Sequence, residues 1–271
     1  MASQEQGVQL RAVGFCGVDD SVAPELLACV SARYPWVEWG VLLRQEKAGE
    51  PRFASQGWLQ RLATVNQDDT MRLAAHLCSS HCEAVLAGDG SDLRRLHAEI
   101  GFRRFQINAT KANNVDSAAV NAATCDRVRQ VMLSLPEVEF IVQRNAETQE
   151  LWKGLAQDPP SNMSFLFDDS VGRGVAAESW PSPDEGSPAF GYAGGLGPSN
   201  LADHLRRMAA PAAGRVVWVD MESSLRTKLA NDVDIFDVNK AMDCILQALE
   251  TARLPETESE SSDPTSKKRK A

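Results

Sequence analysis

AFGYAGGLGPSNLADHLRRMAAPAAGRVVWVDM, residues 189–221, decides the fold. Its opening, AFGYAGGLG (189–197), reads as a strand that ends in glycines. Pro198 and Ser199 open a helix through Leu205, because proline suits a helix's first turn. RVVWVDM (215–221) is apolar and valine-rich, so it reads as another strand. Strand, turn, helix and strand make one crossover unit of a parallel sheet.

The same alternation continues outward from this unit. Strands are predicted at VQLRAVGFC (8–16), VEWGVLL (37–43), MRLAAHLC (71–78), FRRFQIN (102–108), EFIVQRN (139–145) and SFLFDD (164–169). Helices are predicted at 23–33, 56–65, 91–100, 117–135, 147–156 and 237–253. After Trp180 the pattern breaks, because PSPDEGSP (181–188) holds three prolines and cannot form a regular helix. Eight strands with helices between them predict a single-domain α/β protein, a (β/α)8 TIM barrel, over 1–254. A doubly wound open sheet is the competing arrangement, and candidate site residues at several strand ends favour the barrel. The chain's 271 residues suit one barrel of about 250. The tail, 255–271, has no apolar residue except alanine and is expected to be disordered.

Composition narrows the function. Hydrophobic residues make up 43% of the chain, as in a globular protein with a substantial core. No apolar run approaches the roughly 20 residues of a membrane helix, so no membrane partner is expected. MASQEQGVQL at the start lacks the basic and apolar regions of a secretory signal. A net charge of −9 argues against nucleic acid as a partner, yet leaves room for a local basic pocket. Six cysteines show no disulfide-framework spacing, which fits reduced thiols and a cytoplasmic location. KKRK in the tail, Lys267, Lys268, Arg269 and Lys270, matches a nuclear-import signal. Its reading by an import receptor would add the nucleus; a solvated basic run is the plainer reading.

Three groups of strand ends resemble phosphoribosylanthranilate isomerase, the barrel enzyme of tryptophan biosynthesis. GFCG (14–17) is similar to that family's first strand end and LFDDS (166–170) to its sixth. AGGLGPSNL (193–201) and WVDMESS (218–224) resemble its seventh and eighth, and EPRFAS (50–55) its arginine-bearing loop. The resemblance spans roughly 8–253. It implies an aldose–ketose isomerase that performs an Amadori rearrangement, for which an acid and a base must flank one small substrate. By resemblance Cys16 is the base and Asp168 the acid, with Asp169 or Asp220 nearby to hold Asp168 protonated. Arg52 would bind the substrate's carboxylate. Gly194, Gly195 and Leu196, with Ser223 and Ser224, would cradle its phosphate. The implied partner is a small anionic phosphorylated substrate such as N-(5-phosphoribosyl)anthranilate.

Several positions depart from the family. Glu222 stands where it has serine, and Ser224 where it has glycine. Arg226 replaces a glutamate and would restore positive charge. QINA (106–109) lacks the family's histidine and glycine after strand four, and the loop after Asp168 lacks its lysine. These changes leave open a barrel that is non-catalytic or shifted in substrate, binding a phosphorylated ligand or a protein partner. Each site residue also has a structural reading: Cys16 as a buried apolar thiol, Asp168 as a strand terminator, Arg52 as a surface arginine. HLCSSHC (76–82) offers His76, Cys78, His81 and Cys82, but the spacing matches no closed zinc pattern. No metal and no cofactor are expected. Trp36 and Trp39 are expected in the core.

Overall fold

The computed structural model describes residues 7–168 and 179–255. Eight parallel strands close into a barrel in chain order. They are β1 (Gln9–Cys16), β2 (Val37–Leu43), β3 (Arg72–Leu77), β4 (Arg104–Ile107), β5 (Glu139–Arg144), β6 (Met163–Asp168), β7 (Ala189–Ala193) and β8 (Val216–Met221). The ring is shut by β1 pairing with β8, Gly14 opposite Asp220. The helices are α1 (Pro24–Arg33), α2 (Gln56–Val65), α3 (Ser79–Ala87), α4 (Ser91–Ile100), α5 (Ala122–Leu133), α6 (Gln149–Ala156), α7 (Leu201–Ala212) and α8 (Val238–Thr251). The open-sheet alternative is therefore excluded. The tail with its basic run, and Asp169 with the loop that follows it, lie outside the described residues.

Strand alternation sorts the side chains. On β2, Val37, Trp39, Val41 and Leu43 join the main core between strands and helices. Trp36 and Trp39 are both buried, as expected, and the Trp39 indole N–H donates to Ser31 Oγ at 2.9 Å. A smaller cluster of Ala12, Ile141, Leu166, Ala193 and Trp218 fills the middle of the barrel. At the strands' N-terminal end the filling is ionic. Arg104 pairs with Glu38 at 2.6 Å and Glu139 at 3.0 Å, and Arg11 pairs with Glu139 at 2.5 Å. The Arg11 and Arg104 guanidiniums each lie 4.4 Å from a ring centroid of Trp218. Gly191 makes room for that indole, because a Cβ there would overlap it.

Some elements differ from the sequence expectation. The helix predicted over 117–135 is a short 3₁₀ turn at Ser117–Ala119 followed by α5. Asn121 separates them: its side chain accepts from the Thr124 N–H at 3.1 Å and forms a capping box with Thr124. Two helices, α3 and α4, fill the β3–β4 connection where one was expected. A hairpin of β9 (Arg226–Lys228) and β10 (Asp234–Phe236) precedes α8. No helix occurs in the described part of the β6–β7 connection, 179–188, as its prolines predicted. The helix predicted to open at Pro198 starts at Leu201 and runs on to Ala212. No helix of the described residues is long and apolar enough to cross a membrane.

Candidate active site

The strands' C-terminal ends open on a cavity of about 230 Å³. That is below the roughly 300–1,000 Å³ of pockets for drug-sized ligands. Its walls carry His76 of β3, Gln106 of β4, Gln143 of β5, Asp168 of β6, Asp220 of β8 and Glu222 beyond it. Polar groups on inward positions of several strands are the pattern of a barrel site rather than a barrel core.

Cys16 ends β1 and is 1% exposed, just beneath the cavity lining. Its sulfur lies 3.2 Å from Nδ1 of His76. The two residues belong to β1 and β3, with β2 between them. They touch because β2 has Gly40 at that place. A Cβ on Gly40 would stand 2.9 Å from both His76 Nε2 and Cys16 Cα. The imidazole therefore reaches across β2 over a missing side chain. Burial pushes the Cys16 thiol well above its usual value, and Glu222, Asp220 and Cys78 add to the rise. Burial, with help from Arg104, drives the His76 imidazole down to about 3. Both shifts favour the uncharged forms, and the imidazole tautomer sets which of the two atoms carries the shared proton.

Asp220 follows the same logic on β8. Its carboxyl lies over Gly14 of β1, where a Cβ would come within 2.5 Å of Oδ1. Burial raises it well above the usual carboxylate range. Glu38, Glu222 and Asp168 raise it further, against Arg104. Asp168 is buried at the end of β6, where the Gln143 amide donates to it at 3.4 Å. The other amide atom of Gln143, Oε1, is buried without a partner among the described residues.

Arg52 reaches the cavity wall from the loop after β2, with φ of 77°. Its guanidinium is already engaged by Glu222 at 3.2 Å and Asp234 at 3.3 Å. Arg226 was expected to add positive charge at the site. Its side chain instead turns beneath the mouth, pairing with Asp19 at 2.9 Å and Asp234 at 3.0 Å and donating to the Gly17 carbonyl. Gly194, Gly195, Leu196, Ser223 and Ser224 all line the cavity. Gly194 and Gly195 have φ of 106° and 62°, a pair of left-handed residues that favours glycine at both places. Ser224 Oγ donates to the Leu196 carbonyl, so the loops after β7 and β8 are tied together. Burial pushes the Glu222 carboxyl up, and Arg52 opposes the rise.

The structure thus brings Cys16, Asp168, Arg52, Asp220 and both loops to one end of the barrel. The sequence missed His76 as a partner of Cys16, and it missed Gln143. HLCSSHC scatters as its strand-to-helix position implied. His76 points into the barrel, His81 Nδ1 meets Asp92 at 2.8 Å outside it, and Cys82 is buried in the main core. A usable signal was present: glycine inside an apolar strand marks a close approach, and Gly14 and Gly40 flank the two contacts.

No family model matches the chain, and no curated protein matches it in sequence. Solved structures do match in shape. Phosphoribosylanthranilate isomerase from Thermotoga maritima covers 89% of this chain and all of its own, with a TM-score of 0.52 and 11% identity. 3-Keto-L-gulonate-6-phosphate decarboxylase from Vibrio cholerae O1 biovar El Tor covers 90% of this chain and 99% of its own, at 0.50 and 13%. The family 30 xylanase Xyn30A from Clostridium acetobutylicum covers 80% of this chain and 65% of its own, at 0.51 and 8%. At these identities the likeness shows a shared barrel, on which many chemistries are built.

Proposed function

We propose that the protein is a barrel enzyme of the aldose–ketose isomerase class, rearranging a small phosphorylated N-glycoside. One observation carries this reading. His76, Asp168 and Asp220 of β3, β6 and β8 line one small cavity, and Cys16 of β1 lies against His76 just beneath it. In this reading Asp168 protonates the sugar ring oxygen and the C1–O bond breaks, leaving a cationic Schiff base. Cys16 then takes the C2 proton, its own thiol proton having passed to His76. The resulting enolamine tautomerises to the ketone, so no outside reductant or oxidant enters. The substrate's developing positive charge favours the thiolate, which the empty site holds neutral. The turn at Gly194–Gly195 and Ser223 would face the phosphate, and Arg52 would leave Glu222 for a substrate anion. The resemblance of the strand ends and the shape match to a phosphoribosylanthranilate isomerase support the choice of substrate class.

The test is rescue of a tryptophan auxotroph that lacks the isomerase, paired with direct assay of the purified protein on N-(5-phosphoribosyl)anthranilate. Rescue should fail with Cys16→Ser and with Asp168→Asn while melting temperature barely moves. Soluble protein with no rescue and no turnover sinks the proposal. That outcome would favour a binding barrel, a reading that Glu222 beside the phosphate turn supports.

A further inference from the structure

Asp220 presents an unsolved charge problem. It is 9% exposed and lines the cavity, yet no hydrogen-bond donor among the described residues reaches its carboxylate. Glu38, Glu222 and Asp168 surround it with further negative charge, against Arg104 alone. A carboxylate that faces a cavity inside such a negative field is costly unless a proton or a cation neutralises it. Beside it stand two groups of the kind that hold transition metals, the Cys16 thiol and the His76 imidazole. One ligand atom from each of the three residues lies within 4.8 Å of the others, and all three residues are buried. Two ligands on a tetrahedral zinc, at about 2.3 Å for sulfur and 2.1 Å for nitrogen, are roughly 3.6 Å apart. Cys16 Sγ and His76 Nδ1 are 3.2 Å apart, so a small opening of that pair would admit an ion.

We propose that Cys16, His76 and Asp220 form a binding site for one zinc-like divalent cation, with its fourth position open to the cavity. The donor set sets the class of ion. A thiolate with an imidazole and a carboxylate suits zinc or cobalt(II) and disfavours magnesium and calcium, which take oxygen. Three protein ligands with a fourth position free is the arrangement of a catalytic rather than a structural zinc. Binding would release the Cys16 thiol proton, together with any proton on Asp220, to solvent. The open position would take water or a substrate oxygen. This goes beyond the isomerase reading and gives Cys16 another role, as a ligand instead of a base.

The experiment is a cobalt(II) titration of the full chain after chelator treatment, followed by electronic absorption and metal analysis. The expected result is one cobalt per chain with a thiolate-to-cobalt charge-transfer band. Cys16→Ser should abolish that band, and Asp220→Asn should weaken binding at least about tenfold, the loss that even an outer-shell change brings. Cys78→Ser should keep the band. No band at saturating cobalt, or a band that follows Cys78 instead of Cys16, overturns the site. Should Cys16→Ser not fold, the near-isosteric Asp220→Asn carries the test, and unchanged affinity there overturns it equally. The titration uses no substrate. An active isomerase with no cobalt site would sink the cation alone, and a cobalt site without turnover would sink the isomerase reading alone.

Discussion

At the scale of single residues, the site depends on two atoms that are absent. Gly14 and Gly40 carry no Cβ, and this gives Asp220 and His76 their positions. Gly40→Ala should force His76 and Cys16 apart and cost about 1–3 kcal/mol, as overpacking does. Urea unfolding measures the loss, and wild-type stability would show that the pair does not need the gap. Glu222 acts through Arg52. Glu222→Ser should leave that guanidinium held by Asp234 alone and raise affinity for inorganic phosphate, read by calorimetry; no change would place the anion elsewhere. Cys16, Asp168 and Asp220, named by the resemblance, lie at strand ends, and Arg52 lies in the loop after β2, all lining or bordering the cavity. The pairing of His76 with Cys16 was not legible, because α1, β2 and α2 lie between them in the chain. The contact spans 60 positions in the chain.

At the scale of elements, local chemistry decides boundaries. The helix predicted to run through 117–135 is broken because Asn121 offers the backbone a better partner than continued helix does. Asn121→Ala should cost about 1 kcal/mol, the usual value of a lost N-cap. Its denaturation midpoint should fall, whereas Ser117→Ala, outside α5, should leave it unchanged. The helix α3 stands where the sequence predicts no helix. It is entered through Ser79 at φ of 47°, a left-handed step that sequence periodicity does not announce. The β9–β10 hairpin is only three residues per strand, too short for alternation to register. VEWGVLL and the helix at 56–65 match β2 and α2, and Ser55 fixes the start of α2 by accepting from the Trp58 N–H.

At the scale of the whole molecule, the barrel is closed by polar chemistry at both ends. Arg104 at the N-terminal end answers both Glu38 and Glu139. Arg104→Met leaves the buried Glu38 carboxylate without its partner, while Glu139 keeps Arg11, and should cost about 3–5 kcal/mol, the penalty for breaking a buried pair from one side. Thermal or urea unfolding at neutral pH measures it. The pH dependence has a definite sign. Burial pushes the Glu139 carboxyl up, but Arg104 and Arg11 outweigh it and hold it down to about 2. An unfolded glutamate titrates near 4.3, so this carboxylate contributes stability above that value. The contribution, on the order of 3 kcal/mol, drains as pH falls from about 4 toward 2. Glu139→Gln should flatten the unfolding free energy across that window, and an unchanged slope would assign the acid sensitivity to other groups.

The sequence by itself determined the architecture. Eight apolar runs spaced by helical stretches have few ways to bury their faces, and a closed parallel barrel satisfies all of them. It also placed the candidate residues at the strands' C-terminal end, because acids and glycines follow the strands. Only the tertiary structure decided who meets whom. Closure brings Gly14 against Asp220, register lays His76 over Gly40 onto Cys16, and loop packing commits Arg52 to Glu222 and Asp234. Local pattern reports burial and spacing along the chain. The charge and protonation of this cavity are set by neighbours that the chain brings together only when the ring shuts.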